Sequence, residues 1–89
     1  MKPITKADFA RIIPMSPSRL RVYTQSYKEE LGRLKQQGNS FNYKSVLFLC
    51  WKIVIDPIEM YPTETKENLI VEQEKVLAEL YGSNKENWN

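Results

Sequence analysis

The sequence predicts a small, mostly α-helical domain, and three features of the chain indicate this fold class. Thr5 and Ser16 are hydroxyl residues placed where a helix can begin, each followed by residues that fit the first turn. An almost continuously apolar run at 43–55 has the length of a buried helix. The stretch 63–81 carries an apolar stripe at helical spacing. Together these features predict a helix pair, a central buried helix and a C-terminal amphipathic helix.

Composition limits the size and the class of the protein. With 89 residues, 42% of them hydrophobic, the chain makes one domain, assigned here to 1–82 and followed by a frayed tail at 83–89. Cys50 is the single cysteine and cannot form an intrachain disulfide, which suits a reducing compartment. The apolar run around it contains Lys52 and is shorter than the ~20 residues of a membrane-spanning helix. We therefore expect a cytoplasmic protein that makes no membrane contact.

The first helix is expected to begin at Lys6. Thr5 can cap it, with Asp8 three residues later completing an arrangement like a capping box and facing the positive end of the helix dipole. Pro14 cannot continue the helix, because it lacks the amide hydrogen. The apolar face of this helix consists of Phe9, Ala10, Ile12 and Ile13.

A second helix is expected from Pro17 to about Lys28. Ser16 caps it, and Pro17 occupies the first helical position, where its missing amide costs nothing. Two apolar pairs face one another across the short turn, and this spacing predicts a helix-turn-helix over 5–28. The inward pairs are Phe9 with Ala10 and Leu20 with Tyr23.

The outward face of the second helix is predicted to contact double-stranded DNA. Arg and Gln side chains can form two hydrogen bonds with a base edge, and basic or hydroxyl side chains can donate to phosphates. Residues 1–44 carry a net charge of +6 and residues 45–89 one of −4, so the half that holds this helix attracts phosphates. The predicted DNA-binding residues are Ser16, Ser18, Arg19, Arg21, Val22, Gln25, Lys28, Arg33 and Lys35.

The connection 29–42 admits two interpretations. Leu31 and Leu34 could lengthen the second helix by one turn, whereas Gly32 and the cluster at 38–40 signal a turn. In one interpretation the segment is a two-stranded wing whose basic side chains touch phosphates. In the other it is a plain loop with solvated side chains.

A series of short motifs runs through residues 5–55. A Phe-Ala helix is followed by Ser16-Pro17-Ser18, by Leu20-Arg21-Val22-Tyr23, by a basic connection that contains glycine, and by Tyr43-Lys44-Ser45-Val46-Leu47. This order resembles the winged-helix DNA-binding domains of MerR-type regulators and phage excisionases. The resemblance implies that Arg21 contacts DNA backbone or bases, that Tyr23 is largely structural, and that 33–42 forms the wing.

The run 43–55 is interpreted as a central buried helix, because its length and its apolarity on all sides favour a helix over a strand. A first face would pack on the two preceding helices. A second face, with Phe48, Trp51 and Ile55, needs a cover, and we expect Trp51 to be largely shielded. Pro57 ends the element and forces Asp56 toward an extended conformation. The first face consists of Tyr43, Val46, Leu47, Cys50 and Val54.

The last helix is expected within 63–81, capped by Thr63 or Thr65 and stopped by Gly82. Its stripe can cover the open face of the central helix. Alternatively the stripe packs against the same stripe of a second copy of the chain. Gln73 would then be a polar residue at the interface that fixes how the two helices align. The stripe consists of Leu69, Ile70, Val76, Leu77, Leu80 and Tyr81.

The sequence gives no indication of an enzyme, a metal site or a cofactor, because it contains no histidine, no Gly-rich phosphate loop and no cluster of ligands. The leading hypothesis is a sequence-specific DNA-binding protein, either a small transcriptional regulator or an excisionase-like recombination factor. The alternative is a phage or mobile-element module that inhibits or adapts a larger protein machine. Its candidate contact residues are Phe48, Trp51, Leu69, Val76 and Leu80. The basic outward face of the second helix favours the DNA hypothesis.

Overall fold

A computed structural model describes residues 1–88 of the chain. Within these residues it contains five α-helices and one two-stranded antiparallel sheet, which confirms the predicted mostly α fold class. In chain order the elements are β1 (Ile4–Thr5), α1 (Lys6–Ile12), α2 (Pro17–Ser26), α3 (Lys28–Arg33), β2 (Ser40–Phe41), α4 (Tyr43–Ile53) and α5 (Lys66–Tyr81), with 3₁₀ turns at Pro57–Glu59 and Lys85–Trp88.

Side-chain caps fix where four of the described helices begin. Each cap satisfies a backbone N–H group that has no partner inside its helix, and such a cap stabilises a helix by about 1 kcal/mol. The starts at Lys6 and Pro17 are as predicted, and Thr65 rather than Thr63 caps the last helix. The cap contacts are Asp8 N to Thr5 Oγ1 at 3.1 Å, Arg19 N to Ser16 Oγ at 3.2 Å, Ser45 N to Asn42 Oδ1 at 2.8 Å and Asn68 N to Thr65 Oγ1 at 3.2 Å.

The centre of the domain is α4, and α5 packs across it. Every residue of α4 from Ser45 to Cys50 is buried. The ring of Phe48 meets the Tyr27 ring edge-on at 5.4 Å and lies 6.5 Å from the Tyr81 ring. These contacts confirm the prediction of a central buried helix that the last helix covers.

The backbone after α4 turns sharply. Val54 adopts the left-handed conformation, with φ 63° and ψ 50°, and so ends the helix at Ile53 rather than at Ile55. Asp56 is extended, as expected for the residue before a proline. Its carboxylate accepts a hydrogen bond from the Ile58 N–H group at 3.0 Å and caps the short turn that follows.

The second helix is shorter than predicted. It ends at Ser26, and Tyr27 separates it from α3 with φ −110° and ψ 25°. The Tyr27 ring is held against Phe48 in the core, so the chain changes direction at this residue instead of continuing one helix through Lys28.

The segment 29–42 is neither a two-stranded wing nor a plain loop. It begins inside α3, where Leu31 and Leu34, three residues apart, both reach the core. Its strand β2 does not pair within the segment but pairs with β1, which precedes the first helix. The Phe41 ring then packs edge-on against Phe9 at 5.2 Å. The wing prediction is wrong because β2 pairs with a strand outside the segment. This pairing is not visible in the sequence, since a strand of two residues is too short to show a periodic pattern.

The C-terminal segment is docked through residue 88, contrary to the predicted frayed tail. Trp88 is buried, and its indole N–H group donates to the Gly82 carbonyl at 2.7 Å. The Trp88 carbonyl accepts hydrogen bonds from Trp51 Nε1 at 3.1 Å and from Lys52 Nζ at 3.2 Å. The prediction for Asn89 lies outside the described residues.

Trp51 is 37% exposed, so the prediction that it is largely shielded is wrong. Its ring meets the edge of the Trp88 ring, with centroids 6.2 Å apart. A single edge contact covers only part of a large indole, and the remainder faces solvent.

Most residues of the predicted interaction surface and of the predicted dimer stripe lie in the core, but Trp51 and Ile70 are exposed. Gln73 donates from Nε2 to the Leu47 carbonyl at 2.8 Å, so it joins α5 to α4 and does not sit at a seam between chains. The buried residues of the stripe pack within one chain, which is the first of its two predicted uses, while Ile70 is 45% exposed. The homodimer stays a prediction. The buried members of the predicted interaction set are Phe48, Leu69, Val76 and Leu80.

Candidate nucleic-acid interface

The helix α2 presents most of its surface to solvent. Of its ten residues, all described, Leu20 alone is buried. Tyr23 and Thr24 are half-buried beside it, and the Thr24 hydroxyl donates to the Arg21 carbonyl at 2.9 Å. The Ser16 cap and the buried Leu20 therefore hold a helix whose remaining side chains, apart from Tyr23 and Thr24, are exposed to solvent.

The structure places every predicted DNA-binding residue at the surface. Ser18, Val22 and Gln25 follow one another at helical spacing along the outward face of α2, and Arg21 lies beside them. The hydroxyl of Ser16 accepts the cap hydrogen bond and also lies 3.4 Å from the Ser18 hydroxyl, in a hydrogen bond that either group can donate. The exposed residues are Ser16, Ser18, Arg19, Arg21, Val22, Gln25, Lys28, Arg33 and Lys35.

The positive charges of this region have no acidic partners. Within residues 1–88, no ion pair involves Arg19, Arg21, Lys28 or Lys35. The lysines of the second half of the chain differ, because each is held by another group. Lys66 pairs with Asp56, Lys75 with Glu72 and Lys85 with Glu74, while Lys52 lies over the rings of Tyr27, Phe48 and Tyr81.

A cleft of about 240 Å³ separates the start of α1 from α2. Lys6 and Arg21 both line this cleft, together with the buried Leu20. Two cationic residues that line one cleft can hold an anion such as a phosphate. The remaining lining residues are Ala7, Pro17 and Thr24.

Lys6 is the residue that sequence reasoning missed. Its backbone N–H group donates to the Asn39 carbonyl at 2.9 Å, and its ammonium group lies 5.6 Å from the centre of the Phe41 ring. Its position beside Arg21 follows from the way α1 and α2 cross, and no local sequence pattern reports that crossing.

Arg33 and Lys35 are not gathered with Arg21. The Arg33 guanidinium lies against α5, where it reaches the Glu79 carbonyl at 3.5 Å. Lys35 follows α3 in a left-handed conformation, with φ 63°. Lys28 remains close to α2 along the chain, because it begins α3 only two residues after Ser26.

The single thiol of the chain, Cys50, is buried. Burial and the neighbouring Asp56 raise the pKa of the Cys50 thiol to about 12, so the thiolate is scarce near neutral pH. The described residues contain no group of three His, Cys, Asp or Glu side chains that could hold a metal ion. None of the helices in residues 1–88 has both the length and the apolarity needed to cross a membrane.

The chain was compared with known proteins at the level of family, sequence and structure. It matches no protein-family model, no curated protein and no solved structure. The resemblance to MerR-type and excisionase domains therefore remains a prediction, and the functional argument depends on the exposed face of α2.

Proposed function

We propose that this protein binds double-stranded DNA sequence-specifically, as a small transcriptional regulator or an excisionase-like recombination factor. In this proposal α1 and α2 act as a helix-turn-helix, and α2 enters the major groove. The observation that carries the proposal is α2 itself, a capped helix with one buried residue and with Arg19 and Arg21 outside every ion pair of the described chain.

The dimensions of α2 suit a groove. The major groove of B-DNA is about 12 Å wide and admits one α-helix. Arg21 and Gln25 are four residues apart on α2, which at 1.5 Å per residue separates them by roughly 6 Å along the helix, close to two base-pair steps. Arg21 would pair with guanine and Gln25 with adenine, the bases whose edges these side chains fit.

The residues around this reading face are proposed to hold the DNA backbone. Ser16 and Ser18 lie at the start of α2, where the helix dipole favours a phosphate and their hydroxyl groups can donate to it. Lys6 and Arg19 flank the same end of the helix, and Lys28 lies just beyond the other end. Lys35 is proposed as a peripheral phosphate contact, whereas Arg33 contributes only to the general positive field. A cytoplasmic location suits this role.

A second candidate function is binding to a larger protein at the end of α4. The observation that favours it is Val54, which is 87% exposed beside Trp51 at a depression of about 380 Å³. This depression is lined mainly by apolar groups and includes Ile55 and Gln73. The unpaired cations of α2 have no role in this alternative, so DNA binding is preferred.

The proposal is tested with Arg21→Ala and a matched control, Lys75→Ala. Each removes one positive charge from an exposed helix position, but Lys75 is paired with Glu72 on α5. A binding site is first selected from random duplexes, and affinity is then measured at two salt concentrations by fluorescence anisotropy. Arg21→Ala should lose about 1–3 kcal/mol on the selected site and much less on random DNA.

Lys75→Ala should bind as the unchanged protein does, and Lys35→Ala should weaken both DNAs alike and reduce the salt slope by ~1. Circular dichroism confirms that each variant is folded, as expected for exposed positions. If the folded protein binds no duplex in a salt-dependent manner, the proposal is wrong and the protein-binding alternative takes its place.

A further inference from the structure

Val22 is an apolar side chain on the most polar face of the molecule. It lies near the middle of α2 and is 64% exposed. It is not part of the hydrophobic core, because Leu20 is the residue of α2 that is buried there. A β-branched residue also has a lower helix propensity than the Arg21 and Gln25 beside it, so folding gives no reason for valine at this position.

The neighbours of Val22 are the side chains that can read DNA bases. Arg21 precedes it, Ser18 is four residues before it and Gln25 three residues after it, so all lie on the same exposed side of the helix. If Arg21 and Gln25 hydrogen-bond to base edges, the isopropyl group of Val22 is carried into the groove between them.

The floor of the major groove offers one distinct apolar group to such a side chain. Adenine, guanine and cytosine present hydrogen-bond donors and acceptors there, whereas thymine also presents its C5-methyl group. A methyl contact removes apolar area from water on both sides without leaving a polar group unpaired. Cytosine at the same position offers no methyl group, and valine cannot accept a hydrogen bond from its amino group.

We infer that Val22 is a specificity-determining residue that contacts the C5-methyl group of a thymine. The DNA sequence bound by this protein then contains thymine within the few base pairs that α2 spans, next to the pair that Arg21 contacts. This inference rests on the proposed function, and it adds the base class that the same face prefers.

The test removes single methyl groups from the DNA and from the protein. The full chain is used to select a site from random duplexes, and each thymine of that site is replaced in turn by deoxyuridine, which lacks only the methyl group. Affinities are measured for the unchanged protein, for Val22→Ala and for Val71→Ala. Val71 is a matched control, because it is an exposed valine on α5.

At one thymine, the change to uracil should weaken binding by the unchanged protein and by Val71→Ala about fourfold, the change expected for one buried methyl group. Val22→Ala should bind the thymine site several-fold more weakly and should not respond to uracil there. Replacing the same base by 5-methylcytosine and by cytosine adds a second comparison, in which only the methylated base should favour valine.

Each result has one meaning. A selected site without thymine, or a uracil effect that is equal in the unchanged protein and in Val22→Ala, overturns the inference while DNA binding stands. A uracil effect that Val22→Ala abolishes supports it. If the folded protein selects no site and binds no duplex, the proposed function fails and the inference fails with it.

Discussion

Val54 shows how one residue can hold an unfavourable conformation at the surface. Its φ of 63° lies in the left-handed region, where a non-glycine residue costs roughly 1–2 kcal/mol. Its side chain is almost fully exposed, so burial recovers little of this cost. The position follows α4, where glycine is the usual residue.

Val54→Gly should therefore stabilise the protein by about 0.5–1 kcal/mol, after allowance for the extra freedom that glycine gives the unfolded chain. Urea denaturation measures the change. Val71→Gly, in the interior of α5, serves as the opposite case and should destabilise by roughly 0.5 kcal/mol, because glycine is a poorer helix former than valine. If Val54→Gly instead lowers the free energy of unfolding, the Val54 side chain makes a stabilising contact that outweighs the strain of its backbone.

Phe48 and Trp51 lie on the same helix, but they differ in burial and therefore in their expected contribution to stability. Phe48 is fully buried between Tyr27 and Tyr81, whereas Trp51 is partly open to solvent. Phe48→Ala should cost about 3–5 kcal/mol, a large share of the free energy of unfolding of a small domain. Trp51→Ala should cost clearly less, because much of its ring is already hydrated. Chemical denaturation that ranks the two variants in the reverse order would contradict this assignment.

The residues that could be predicted from the sequence are those set by local patterns. Helical spacing correctly predicts that Arg21, Val22 and Gln25 face solvent and that Phe9 and Leu20 face the core. Lys6 could not be placed in the α1–α2 cleft, since its position depends on how two helices cross. The exposure of Trp51 depends likewise on Trp88, which is far away in the sequence.

Among the secondary-structure elements, the residues at which helices begin are predicted better than the elements that pair with one another. The caps at Thr5 and Ser16 depend on contacts three residues away, so the sequence displays them directly. The pairing of β1 with β2 joins the two ends of a long stretch and leaves no local pattern. The spacing of Leu31 and Leu34 predicts a short extension of the preceding helix, whereas the turn at Tyr27 places Leu31 in a separate helix, α3, with Leu34 just after its end.

The docked C-terminal turn depends on Trp88. Its carbonyl accepts two hydrogen bonds from α4, and its indole N–H group is bonded to Gly82. Trp88→Ala removes a buried ring, so the segment 83–88 should detach and its amide hydrogens should exchange rapidly with solvent. Trp51 should become more exposed, which shifts its fluorescence to longer wavelength. Unchanged exchange in this segment would mean that backbone contacts alone hold it.

Across the whole molecule, the two halves of the chain differ in net charge and in whether their cations are held by other groups. The first half carries +6 and the second −4. Ion pairs and aromatic rings hold every lysine of the second half, while the arginines of α2 are in no ion pair of the described chain. Such an uncompensated positive face attracts a polyanion and gives binding that weakens as salt rises.

If α2 makes the contact with DNA, its amide resonances should respond to a duplex, and an NMR titration measures that response. Isotope-labelled protein is titrated with a selected duplex, and amide shifts are followed along the chain. The largest shifts should occur in 16–28 and at Lys6 and Ala7, and added salt should reverse them. Shifts concentrated around Trp51 and Val54, or no shifts at any DNA concentration, would contradict a contact between α2 and DNA.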